Sequence, residues 1–432
     1  MTANAAAVAR PAPRERPRAL AGAGLLSVAM VASGGLAYVF LALAARTLGP
    51  EAYGRIGVLW AGMFIGVIVL FRPLEQTTAR AVADRLARGT EVRTVIRSIT
   101  TIYGVVVVLG SVAAVLAWTT VRDRLFLGSD FLTAMLFTGT AVYGLEYVLR
   151  GMMAGGRWFK GYAVCLMADA IARVAVALPL VVVASQDIAA AGVAAAGLGG
   201  FLVPFVVGRR WLRTLNRDGD GARFHFGAAI NFAGAASVIA AADQVLINGG
   251  PLLVMLAGGH SASKAAGVVF AATMLVRIPV YVFQGVAASL LPNLTRLHAL
   301  EHTALFRQTL QRANRLLVLT TVSMTAFAAV AGPLSMGILY GSGYEAGHGE
   351  LALLGLGVGL YLAAATYSQA LLALDRGAQA AAAWTISALA FLGLYAVLEG
   401  GQLWRIALAF AIATALCVVL LVGVLLRRLA RR

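Results

Sequence analysis

Cysteine is nearly absent. Cys165 and Cys417 are the chain's two, both inside apolar runs, so neither a disulfide framework nor a thiolate metal site is available. Charge is scarce at 12% of 432 residues, and acid is scarcer than base, with 18 Asp and Glu against 35 Lys and Arg. The catalytic signatures are missing: no His-Glu-x-x-His, no paired-cysteine motif, no phosphate loop and no serine elbow. The chain is therefore read as a protein that is not an enzyme, has no ATP site and needs no cofactor. Its five histidines, His225, His260, His298, His302 and His348, lie in or near loops. His298 and His302 are four apart, but no third ligand accompanies them, so they read as solvated side chains. A net charge of +17 in a soluble protein would suggest nucleic acid. The basic residues are not interleaved with aromatics along a groove, and nucleic acid is not an expected partner.

What the chain has is length of apolar run. Apolar residues make up 60% of it, the composition of a polytopic membrane protein. Twelve stretches are long enough to cross a bilayer, which needs about 20 helical residues: roughly 20–45, 54–78, 98–118, 130–152, 161–184, 188–208, 228–257, 265–293, 314–340, 348–374, 379–399 and 404–427. With the N-terminus inside, the inner segments hold 25 basic residues and the outer loops six, while the acids divide seven and seven. That is the positive-inside pattern, which counts Lys and Arg alone. It predicts a multi-pass protein of the cytoplasmic membrane with both termini cytoplasmic, its basic loops facing anionic lipid head groups. The first span is too long for a removable signal peptide, lacks a small-residue cleavage site, and is expected to remain as the first helix.

The polar segment 209–227, with Asp218-Gly-Asp-Gly221 at its centre, reads as a flexible linker. It divides the chain into a tail (1–18), a six-helix bundle (19–208), the linker (209–227), a second six-helix bundle (228–427) and a short tail (428–432). Two bundles with a substrate between them is a common transporter plan. A faint echo relates the halves, with Arg72-Pro73 in span 2 and Arg277-Ile-Pro279 in span 8. The inner loops 79–97 and 294–313 alternate leucine or valine with arginine and are predicted to lie as short helices along the interface. Span 7 contains Asn248-Gly-Gly-Pro251, and its proline predicts either a broken helix lining a cavity or a plain kink. Gly355, Gly357 and Gly359 follow no predicted strand and read as close helix packing.

Charges inside the spans are costly and must face protein or water. There are eight: Arg72, Arg150, Arg173, Arg277, Glu75, Glu146, Asp169 and Asp243. Glu146 and Arg150 are four apart, as are Asp169 and Arg173, each with the acid N-terminal, which suits a same-helix ion pair. Those four read either as a structural link between spans 4 and 5 or as cavity groups. Arg72, Arg277 and Asp243 have no partner at the matching step; Glu75 lies three after Arg72. Arg277 and Asp243 fall near mid-depth, where an arginine fork suits phosphate or carboxylate. An Arg277–Asp243 bridge between spans 7 and 8 is the plainer reading, and such a bridge can open for a ligand. Arg277, Arg72, Asp243, Glu75 and Arg173 are the candidate substrate-binding residues. Asn231, Gln244, Asn248, Gln284 and Gln369 add neutral groups that suit interhelical hydrogen bonds or sugar hydroxyls.

Four segments carry a family resemblance. Arg46-Thr-Leu-Gly-Pro-Glu-Ala-Tyr-Gly54, Leu74-Glu-Gln-Thr-Thr-Ala-Arg80, Asp243-Gln-Val-Leu246 and the stretch from Ala266-Gly267 through Arg277-Ile-Pro279 to Leu291-Pro292 resemble the corresponding parts of bacterial polysaccharide or O-antigen flippases. That family is the oligosaccharidyl-lipid branch of the superfamily that also contains multidrug antiporters. The order is right and both halves are represented. The resemblance implies an all-α protein of twelve transmembrane helices in two six-helix bundles around a central, often cationic cavity. It implies alternating access that moves a polyprenyl-diphosphate-linked oligosaccharide from the inner to the outer leaflet, with H+ or Na+ as a possible coupling ion and other polysaccharide assembly proteins as neighbours. Arg277 and Asp243 carry over as cavity residues, with Arg72 and Glu75 beside them. Twelve spans differ from the fourteen expected of the lipid II flippases. The competing readings are a cation-coupled drug antiporter, which would favour unpaired acids, and a non-transporting scaffold of a polysaccharide assembly complex.

Overall fold

Inside a hydrocarbon layer each backbone N–H and C=O must be satisfied within its own segment, and the apolar runs fold accordingly. In this computed structural model every regular element among the described residues is helical. The structure describes residues 15–206, 208, 226–258, 262–278, 280, 294, 297, 300 and 303–430. The helices are α1 (Glu15–Arg88), α2 (Arg93–Leu125), α3 (Asp130–Gly155), α4 (Phe159–Ala177), α5 (Gln186–Val206), α6 (Phe226–Gly258), α7 (Ala262–Val276), α8 (Thr303–Tyr340), α9 (His348–Ala373), α10 (Gly377–Val397) and α11 (Gln402–Ala430). Among them nine are long and apolar enough to cross a membrane; 186–202 and 262–276 are shorter apolar helices. The chain is a multi-pass membrane protein.

Spans 1 and 2 are one element. α1 runs for 74 residues and bends at Gly49, whose φ of 71° and ψ of 169° leave the helical region; a side chain there would be strained. The interfacial helix expected over 79–97 is not separate. α1 continues to Arg88, Gly89 turns the chain at positive φ, and α2 begins at Arg93. Val82 and Arg85 of that extension are buried, which holds it in the bundle rather than flat on the membrane. Pro179 ends α4 in a 3-10 turn, Leu178–Val181, because it supplies no N–H to continue the helix. Ser129 caps α3 through Leu132 N at 3.2 Å, and Glu350 reaches back to the Gly347 N–H at 2.8 Å to start α9.

α6 corrects the expectation of a break: it passes through Gly249, Gly250 and Pro251 as one helix. The two glycines let neighbours close in, since a Cβ on Gly250 would stand 3.3 Å from both Ile406 and Val269. The second part of span 8 (281–293), most of the loop 294–302, the linker residues 209–225, Gln284, His225, His260, His298 and His302 lie outside the described residues.

α1, α3, α4 and α5 pack on one another; α9 packs on both α8 and α11, while α10 packs on α11 and α6. α1 also packs on α6 and α7, joining the two groups. Gly357 and Gly359 of α9 admit Phe410 and Thr321 at close range, as expected of packing glycines. α2 is the least covered span, with Val115 and Leu116 at 75% and 79% exposure, which suits a helix facing lipid tails.

Candidate functional site

At one end the two helix groups are sealed along α1. Gly54 and Gly267 meet backbone to backbone: a Cβ on Gly54 would strike the Ser263 carbonyl, and one on Gly267 the Pro50 carbonyl. Ser263 Oγ donates to Glu51 O at 2.7 Å and Tyr38 OH to Met274 O at 2.7 Å. Arg46 donates to the carbonyls of Ile338 and Leu339. Tyr344, in the turn before α9, donates to Ala45 O at 2.9 Å; burial pushes its phenol above the ordinary range, so it remains a donor. Tyr53 sits buried in the seam against Phe270, Tyr340 and Tyr344.

Deeper in, charged and polar groups from several helices converge. Arg72 of α1 is exposed, yet its electrostatic neighbours are Tyr147 of α3, Asp243 of α6, Tyr361 of α9 and Glu75 of its own helix. A side chain whose electrostatic neighbours lie on four helices faces the interior of the bundle rather than lipid. Asp243 has the Tyr361 hydroxyl as an electrostatic neighbour and accepts from Gln244 Nε2 at 2.8 Å. Gln244 Oε1 accepts from Asn248 Nδ2 at 2.6 Å, and Asn248 Oδ1 accepts from Arg277 Nη1 at 2.8 Å. The direct Arg277–Asp243 bridge expected from the sequence is therefore absent among the described residues. Two amides connect acid to base instead. Their orientation follows from chemistry: a carboxylate only accepts and a guanidinium only donates, so each amide must turn its nitrogen toward Asp243 and its oxygen toward Arg277. Glu75 accepts from Tyr162 OH at 2.8 Å.

Arg173 stands apart from that row. It is 3% exposed, donates to Asp169 Oδ1 at 3.0 Å and to Tyr143 OH at 2.6 Å, and lies 5.0 Å over the Trp60 ring. Arg150 pairs with Glu146 at 2.5 Å and reaches Asp169 at 3.6 Å, and Cys165 contacts Glu146 at 3.4 Å. Both expected same-helix pairs form, and Arg150 joins them into one network across α3 and α4. Arg150 also acts electrostatically on Glu75, which links this network to the cavity row. Tyr361, Tyr147 and Tyr162 belong to the site and were not read from the sequence. A phenol inside an apolar span that must place its hydroxyl on a partner is the signal that marks them. Among the described residues no group of three His, Cys, Asp or Glu is placed to hold a metal.

No family model matches the chain. The uncharacterized protein Rv3630 of Mycobacterium tuberculosis is 30% identical over 355 residues, covering 80% of this chain and 77% of that protein. An identically scoring protein occurs in Mycobacterium bovis. The chain belongs to the family of these mycobacterial proteins. The uncharacterized protein Rv1510 of M. tuberculosis is 27% identical over 359 residues, covering 80% of this chain and 76% of that protein. Among solved structures, the inward-facing conformation of a multidrug resistance MATE family transporter of the MOP superfamily superposes with a TM-score of 0.73 at 14% identity, covering 94% of this chain and 99% of that one. An outward-facing conformation of a transporter so described gives 0.60 at 14% identity, over 95% and 96%. At such identity the likeness establishes the fold: this chain has the architecture of the MATE transporters.

Proposed function

We propose that the chain is a flippase that moves a polyprenyl-diphosphate-linked oligosaccharide, a polysaccharide precursor, from the inner to the outer leaflet of the cytoplasmic membrane by alternating access. The observation that carries the reading is Arg277: a half-buried guanidinium between the helix groups, tied through one nitrogen among the described residues, with Arg72 on α1 sharing Asp243 as a neighbour. Two arginines converging on an interior cavity suit the two phosphates of a diphosphate head. Glu75 and Asp243 moderate that charge so the empty cavity is not left as an unbalanced cation.

The reading completes the architecture as twelve spans: the two limbs of α1 count separately and α5 and α7 count as spans, giving two groups of six joined by 209–227. The arginine-rich segments 80–97 and 209–223 face the cytoplasm, both termini lie inside, and the sealed end is the outer one. The higher likeness to an inward-facing transporter supports that assignment. The head group enters from the inner side, the prenyl tail stays in lipid, and the seam at Gly54–Gly267 opens to release. H+ or Na+ supplies any coupling, and no bond is made or broken. Arg173, held in the buried network, contributes to the substrate path through Arg150 and Glu75.

The decisive experiment reconstitutes the full chain in liposomes with a fluorescent polyprenyl-diphosphate oligosaccharide and scores its arrival in the opposite leaflet, with Arg277→Ala as control. Protein-dependent transfer that the substitution abolishes supports the proposal. No transfer, in vesicles that do exchange a cationic dye for protons, replaces it with the antiporter reading. Neither activity returns the scaffold reading.

A further inference from the structure

An α-helix bonds each N–H to the carbonyl four residues earlier, so residue 251 would normally satisfy Ile247. Pro251 has no N–H to give. The orphaned Ile247 carbonyl accepts instead from Arg277 Nη1, 3.3 Å away on the neighbouring helix. The same nitrogen donates to Asn248 Oδ1 at 2.8 Å. Nη1 carries two hydrogens, and these two acceptors take both. Ile247, Asn248, Pro251 and Arg277 line one small pocket with Thr273 and Met274.

That anchoring decides which edge of the guanidinium remains. The Nε–H and the adjacent Nη2–H point away from Nη1 and form the side-on fork that grips an oxyanion with two parallel bonds. Nε is buried and meets no acceptor, and among the described residues none meets Nη2. A buried donor without a partner is costly, and a ligand oxygen would relieve it.

We propose that Pro251 is a positioning residue: by withholding a hydrogen bond it vacates the Ile247 carbonyl, which fixes the Arg277 plane so that its Nε–Nη2 edge faces an oxyanion of the ligand. The inference rests on Arg277 as an anion-binding group. It explains why a proline stands mid-helix where no break occurs.

The test is Pro251→Ala in the full-length protein in detergent. The N–H that the substitution restores reclaims Ile247, so the helix gains a bond while Arg277 loses an anchor. Modification of Arg277 by phenylglyoxal, followed by peptide mass spectrometry without ligand, is expected to speed up several-fold. Thermal stability is expected to stay level or rise, the opposite of what loss of a merely structural residue gives. Affinity for geranylgeranyl diphosphate should fall by roughly three- to tenfold, the worth of one hydrogen bond. It should fall no further when Pro251→Ala is added to Arg277→Ala. Pro333→Ala in α8, outside the pocket lining, is the control for helix straightening, and Pro251→Ser serves if the alanine form fails to fold. An unchanged phenylglyoxal rate overturns the proposal. Failure of the wild type to bind the diphosphate overturns the anion reading alone, because the modification rate needs no ligand.

Discussion

Gly54 of α1 and Gly267 of α7 touch through their main chains, each occupying the space where the other helix would place a carbonyl against a Cβ. No side chain larger than hydrogen fits either position while the seam is closed, so substitution there converts directly into separation of the two helix groups at that end.

Gly267→Val is accordingly expected to hold the sealed end open. Thr273, which lines the Arg277 pocket, reports on it: in a chain whose two native cysteines are replaced, Thr273→Cys should react with a membrane-impermeant maleimide in whole cells several-fold faster when Gly267→Val is present. Equal labelling would mean that the seam does not gate access.

Orientation has its own check. Ser342, exposed in the turn after α8, and Ala87, exposed near the end of α1, lie at opposite ends under the proposed topology. Ser342→Cys should be labelled from outside intact cells and Ala87→Cys only after permeabilisation. The reverse pattern would invert the membrane placement and with it the direction of transport.

Charge balance predicts a sign. Asp243 lies among Arg72, Arg277 and Tyr361, and Asp243→Asn keeps the shape while removing its charge. Affinity for an anionic polyprenyl diphosphate should increase several-fold at low ionic strength, and the gain should shrink as salt is added. A loss of affinity would assign Asp243 a direct contact with the ligand.

The buried network predicts non-additivity. Asp169→Asn alone leaves Arg173 with an incomplete partner in a dry interior and should destabilise the protein by about 3–5 kcal/mol. Asp169→Leu with Arg173→Met should cost much less, measured by unfolding in detergent micelles. Transport by that double variant separates a structural Arg173 from a substrate-contacting one.

Much of this was legible in the sequence because it depends on local spacing. The apolar runs locate the helices, and the steps Glu146 to Arg150 and Asp169 to Arg173 locate two ion pairs, since four residues return a helix to the same face. What joins the pairs, Arg150 to Asp169 at 3.6 Å, spans two helices, and no spacing within either encodes it. The Asp243–Arg277 bridge was anticipated from charge alone; the amides of Gln244 and Asn248 intervene because they lie on the face between them. Pro251 was read through its effect on its own helix, whereas its consequence falls on a residue 26 positions later. Tyr361 carried no charge to attract notice in a glycine-rich run.

The bonds that close the seam share a property. Tyr38, Arg46, Ser263 and Tyr344 each donate from a side chain to a backbone carbonyl, of Met274, of Ile338 and Leu339, of Glu51 and of Ala45. A main-chain acceptor is the same atom whatever residue bears it, so Met274, Ile338 or Ala45 can drift without breaking a bond. Correlated substitution, the usual trace by which contacts are inferred from many related sequences, would be silent along these bonds. A seam built this way is easy to retain through evolutionary time and hard to detect from it.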